Sequence, residues 1–204
     1  MAEETKFVIV LINSMLMNKV LLHACCAPCS SAILEWLLNN GYTPILYFCN
    51  PNIYPLEEYE HRKSELISYA NKLEVKFIDD DYNHSDWLSC VKGLETQPER
   101  GARCLKCFEY RLLKTAYKAL ELNIPLFTTT LASSRWKNLT QINEAGKWAE
   151  NVVSEKASSN ISIESPKFWD KNWRKDGLQN RRNELLKQEG FYNQQYCGCE
   201  FSVR

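Results

Sequence analysis

Seven of the nine cysteines in this 204-residue chain stand in three groups: Cys25-Cys26-Ala-Pro-Cys29, Cys104-Leu-Lys-Cys107 and Cys197-Gly-Cys199. Thiolates spaced this closely can converge on one soft metal or act as a redox couple. The intervals between the groups are too long for a local loop, so a fold must assemble them. A disulfide between neighbors strains their shared peptide, so Cys25-Cys26 suits a multi-iron center better than thiol-disulfide exchange. Four thiolates usually hold a four-iron, four-sulfur cluster, and Cys25, Cys26, Cys104 and Cys107 make four. The same four ligands also describe a zinc site.

Cys29 falls in the first turn of an expected helix, where backbone N–H groups favor a thiolate. It is a candidate redox thiol or ligand of a second metal, or else a half-buried side chain without a role. Gly198 frees the backbone for either a small-ring Cys197–Cys199 disulfide or two ligands to one metal. Cys49 and Cys90 stand alone and read as small buried apolar residues. His23 reads as a core imidazole satisfied by a carbonyl rather than a ligand. Asp79 to Asp81 read as a solvated turn. Tyr47, Tyr54, Tyr59 and Trp136 have rings that stack bases in RNA-binding proteins, although core packing accounts for any single one.

These residues need a scaffold, and the pattern predicts one. Val20 to Ala24, Thr43 to Phe48, Val75 to Ile78 and Pro125 to Thr129 read as buried strands. Between and after them, Ser30 to Asn39, Glu57 to Leu73, Ser85 to Leu94, Leu105 to Leu122, Asn138 to Glu155 and Leu178 to Gln188 read as helices. Lys156 to Pro166 reads as a link with a strand at Ile161 to Ile163. Alternating strands and helices predict a Rossmann-like α/β fold, a parallel sheet with helices on both faces. Cys25-Cys26, Asn50-Pro-Asn52, Asp79 to Asp81 and Thr128 to Thr130 then all lie at or after strand ends. Ligands of open parallel sheets bind at that carboxyl edge.

The length suits a single domain. Residues 1–16 are expected to be an N-terminal extension and 17–204 one α/β domain, with Met15 or Met17 as candidate starts. Phe7 to Met17 is apolar but far short of the roughly 20 residues that cross a bilayer. No export signal is evident, which predicts a cytoplasmic protein. Lys and Arg number 25, as do Asp and Glu. A nucleic-acid partner would therefore need a local basic patch, for which Lys167, Lys171, Arg174, Lys175, Arg181, Arg182 and Lys187 are candidates.

Taken in order, five segments resemble the QueH family of epoxyqueuosine reductases. They are Leu22 to Cys29, Tyr47 to Ile53 with Glu58-Tyr-Glu-His-Arg62, Arg103 to Cys107, Thr128 to Ser134 with Lys137-Asn138, and Tyr196 to Ser202. The resemblance covers the chain from about Met17 onward. It implies reduction of epoxyqueuosine to queuosine at the wobble position of tRNA, a cobalamin-independent deoxygenation by an iron-sulfur enzyme with a HUP-like fold and a cysteine-containing C-terminal segment. It puts Cys25, Cys26, Cys104 and Cys107 in the role of 4Fe-4S ligands. Cys197 and Cys199 become the catalytic pair, as a redox-active disulfide or ligands of an additional iron ion, and Cys29 a candidate second-metal ligand. Placement on loops at the expected carboxyl edge makes Asn50, Asn52, Lys137 and Asn138 candidate contacts to the modified base or its phosphate. The implied partners are tRNA carrying epoxyqueuosine and an electron donor such as a ferredoxin or flavodoxin, with no membrane. A tRNA-thiolating ATP-pyrophosphatase offers a similar sheet, but it needs a glycine-rich phosphate loop where this chain has Cys25 to Ser30 without glycine. A zinc-stabilized RNA-binding module is the non-enzymatic alternative.

Overall fold

Val20, Leu21 and Leu22 are completely buried, as a strand covered on both faces must be. Together with Lys19 and His23 they form β1 (Lys19–His23), the middle strand of the sheet. The computed structural model describes residues 18–157 and 164–202. β2 (Thr43–Phe48) and β4 (Leu126–Thr129) flank β1, β3 (Lys76–Asp79) pairs with β2, and β5 (Lys167–Phe168) pairs with β4. The order is β3-β2-β1-β4-β5 and every pairing is parallel. Strand order therefore reverses between β1 and β4, and ligands of open parallel sheets bind outside the carboxyl ends at such a point.

The helices are α1 (Ala27–Asn39), α2 (Leu56–Lys72), α3 (His84–Cys90), α4 (Ala102–Glu121), α5 (Leu139–Ala157) and α6 (Leu178–Gln188). α1 packs against α2 and α6, and α4 packs against α5. Right-handed crossovers put the first group on one face of the sheet and the second on the other, the expected Rossmann-like arrangement. α1 can start directly after β1 because Pro28 sits in its first turn, where a missing N–H breaks no bond. α5 lies so close to β5 that a Cβ on Gly146 would sit 2.3 Å from the Phe168 ring. None of the described helices is long and apolar enough to cross a membrane.

Within the described residues the expected strands and helices are present, with three differences. The helix expected at Ser85 to Leu94 ends at Cys90, and Gly93 takes a left-handed conformation. α4 begins before Cys104, so the CxxC pair lies wholly within a helix. A fifth strand forms at Lys167–Phe168. The strand expected at Ile161 to Ile163 and the extension 1–16 lie outside the described residues.

Candidate functional site

The reversal point is where the first cysteine group sits. The chain leaves β1 through Ala24 and Cys25 and enters α1 with Cys26 in the extended N-cap position. In the first turn of α1, Cys29 comes back toward them, and the three sulfurs lie within 4.8 Å of one another. The sulfurs of Cys25 and Cys26 are 3.8 Å apart. Just past the end of β4, the Thr130 hydroxyl accepts the Cys25 amide at 3.2 Å and donates to the Cys25 sulfur at 3.4 Å.

Three thiols this close titrate interdependently. Hydrogen bonds from Cys26 and then Cys29 hold the Cys25 thiol well below its ordinary range. Burial pushes Cys26 well up, and donation to Cys25 pushes Cys29 up to about 11. The same division recurs at the C-terminus: a hydrogen bond from Cys199 lowers Cys197, and Cys199 is raised in return. Lys137 faces both groups. Burial works against its charge, but the Cys197, Cys25 and Cys29 thiols outweigh that effect and its pKa rises.

A buried network stiffens the floor beneath these thiols. Burial, then Arg111, drives His23 down to about 3, so the imidazole is neutral. Its Nε2–H donates to the Cys49 carbonyl at 3.1 Å, which leaves Nδ1 to accept the Thr129 hydroxyl at 2.8 Å. Arg111 donates to the same carbonyl at 3.2 Å and to the Asn50 side-chain oxygen, and Asn50 donates to the Ala24 carbonyl at 2.8 Å. Ala24 and Cys49 each stand one residue past a strand, so side chains take over the bonding that the ladder no longer supplies.

Cys104 and Cys107 are one turn apart on α4. The Arg100 amide donates to the Cys104 sulfur at 3.2 Å, and Arg111 reaches the Cys107 sulfur at 3.9 Å. Cys107 and Cys199 pack with Trp87 and Val91, and Cys197 and Phe201 lie against them. The thiols therefore gather as a trio at Cys25, Cys26 and Cys29, and as a second set joining α4 to the C-terminal segment. Cys104 and Cys107 are not part of the 4.8 Å grouping around Cys25. Cys49 is buried and Cys90 half-buried, outside both sets. All nine cysteines are free thiols, the Cys197–Cys199 pair included.

Two arginines fasten the C-terminal segment. Arg62, paired with Glu58 at 2.6 Å, donates to the carbonyls of Tyr196 at 3.2 Å and Cys197 at 3.4 Å. Arg103 donates to the Phe201 carbonyl and the Ser202 hydroxyl, both at 3.4 Å. His84 adds a contact to Glu200 at 2.8 Å. Gly198 has φ +100°, and a Cβ there would lie 2.8 Å from Ile53. Glycine is favored on both counts.

The expected substrate contacts occupy different settings. Asn50 is buried and both ends of its amide are engaged within the protein, while Asn52 is buried with no partner for its side-chain oxygen among the described residues. Asn138 caps α5, accepting the amides of Thr140 at 3.0 Å and Gln141 at 3.4 Å. Of the four, Lys137 is the one whose charge faces the thiols. Tyr47 and Tyr59 are core residues whose hydroxyls donate to Asp80 and Asp79, so those two acids are acceptors rather than a purely solvated turn. Tyr54 and Trp136 are exposed. In the basic segment, Lys167, Lys171 and Arg181 pair with Glu150, Asp176 and Glu35. Arg62, Arg111 and Thr130 lie in or near recognizable motifs, but only the tertiary contacts reveal their work.

A family model described as epoxyqueuosine reductase QueH matches residues 20–204. The chain is 46% identical over 187 residues to the epoxyqueuosine reductase QueH of Haemophilus influenzae, covering 92% of this chain and 72% of that one. It is 44% identical to that of Acinetobacter baylyi, covering 92% and 81%. In fold it is similar to the U34-tRNA thiolase NcsA from Methanococcus maripaludis, solved with its [4Fe-4S] cluster. The TM-score is 0.50 at 14% identity, covering 92% of this chain and 62% of that one.

Proposed function

Because this chain belongs to the epoxyqueuosine reductase QueH family, we propose that it reduces epoxyqueuosine to queuosine at the wobble position of tRNA by cobalamin-independent iron-sulfur chemistry. The observation that carries this reading is the convergence of Cys25, Cys26 and Cys29 at the reversal point of the sheet, with Cys197 and Cys199 fastened nearby. The donor set fits the group: the ligands are soft thiols, and Lys137 supplies positive charge beside an anionic center. Cys25, Cys26, Cys104 and Cys107 would hold a 4Fe-4S cluster, which supplies electrons one at a time.

Removing an epoxide oxygen as water to leave an alkene consumes two electrons and two protons. Cys197 and Cys199 serve as the second redox or metal-binding element, with Cys29 as a further ligand. Lys137 holds charge at the departing oxygen. Asn52 offers a buried amide oxygen still without a partner among the described residues, which suits a substrate donor. Asn50 and Asn138 act on the substrate through the loops they brace. The tRNA presents the wobble nucleotide extruded from its loop. A low-potential protein such as a ferredoxin or flavodoxin supplies the electrons, in a cytoplasmic setting that keeps the thiols reduced.

The test is anaerobic purification, quantification of iron and sulfide, and incubation with epoxyqueuosine-containing tRNA and a strong reductant. Queuosine should appear in the digested tRNA. A fully loaded protein that forms none would overturn the proposal.

A further inference from the structure

Trp136 is 69% exposed, the most exposed of the large hydrophobic side chains among the described residues. A lone exposed ring is ordinary on a protein surface, but this one is held in a fastened loop. Arg100 donates to the Trp136 carbonyl at 2.8 Å and to the Arg135 carbonyl at 3.4 Å, and Arg174 donates to the Lys137 carbonyl at 2.8 Å. Two guanidinium groups thus take three successive carbonyls. Arg135 lies over the indole, 5.3 Å from its center. No acidic side chain forms an ion pair with Arg100, Arg135 or Arg174 among the described residues.

The loop also adjoins the thiols. Arg100 holds it with its side chain while its own amide donates to Cys104. Lys137, next in sequence to Trp136, faces Cys25, Cys29 and Cys197. Resting on the tRNA reading above, we propose that Trp136 and its arginines form a nucleotide platform, on which a base next to the wobble nucleotide stacks while Arg135 holds a backbone phosphate. An indole face accepts any base, and a guanidinium group matches a backbone phosphate. An acidic protein donor would satisfy the charge but has no need of a single presented ring.

The probe is a labeled anticodon stem-loop RNA with unmodified guanosine at the wobble position, titrated anaerobically with the loaded protein. Trp136→Ala should weaken binding about 5- to 150-fold, with Trp136→Phe between it and wild type. Arg135→Ala should weaken binding and lower the log–log salt slope by about 0.7, the value for one phosphate contact on a single strand. Trp136→Ala should leave that slope unchanged, a split that general loop damage would not produce. RNA affinity unchanged in both variants overturns the platform. So does normal RNA affinity combined with slower reduction by a flavodoxin but not by dithionite, which would make the patch a donor dock. Wild-type protein that binds through Trp136 yet never forms queuosine leaves the platform standing and sinks the proposed reaction.

Discussion

Replacing Gly198 by alanine should release the C-terminal cysteine segment without unfolding the protein. A side chain at φ +100° costs about 1–3 kcal/mol in backbone strain. The new Cβ would also stand 2.8 Å from Ile53, and overpacking of that kind costs about 1–3 kcal/mol. Ile53 can yield part of the second cost, so the combined local penalty is about 2–4 kcal/mol. That is roughly a 30- to 900-fold increase in the opening equilibrium, at about 1.36 kcal/mol per factor of ten. The Tyr54 amide, which donates to the Gly198 carbonyl at 2.9 Å, reports the opening directly. Hydrogen exchange at Tyr54, with alkylation of Cys197 and Cys199 in the metal-free protein, should accelerate by that factor while exchange in β1 stays slow. Tyr54 exchange within about twofold of wild type would refute the reasoning.

Asn50→Ala should lower stability by about 1–3 kcal/mol in urea titration, because Arg111 loses an acceptor and the Ala24 carbonyl a donor. Asn138→Ala should cost about 0.5–2 kcal/mol through loss of the α5 cap, and Asn138→Ser should restore most of it. Although burial opposes it, the Phe168 amide and Lys147 hold the Glu150 carboxyl below its ordinary range. Its contribution is therefore full above the unfolded value of about 4.3 and is lost as pH falls through the lower folded value. Glu150→Gln should reduce stability at neutral pH and flatten the stability profile in that acid window, as followed by thermal melts.

The central strands are legible in the sequence because burial on both faces leaves continuous apolar runs such as Val20 to Leu22. β5 is not, since two residues carry no period and Lys167–Phe168 is recruited by pairing with β4. The start of α4 is hidden because Gly101 takes the cap position without a side-chain bond. At the site, cysteine spacing singles out the candidate ligands but not their grouping, which depends on how α4 meets the C-terminal segment. Asn50 reads as a substrate contact because it follows a strand, and nothing local foretells that Arg111, 61 residues away, engages its side-chain oxygen. The Trp136 loop shows the same limit: Arg100 and Arg174 reach it from distant parts of the chain.

The most direct test of the cysteine assignment is iron and sulfide content measured alongside queuosine formation in two variants. Cys197→Ser/Cys199→Ser should keep the cluster and lose turnover, whereas Cys25→Ser/Cys26→Ser should lose both. Full turnover by the first variant with an intact cluster would contradict the account.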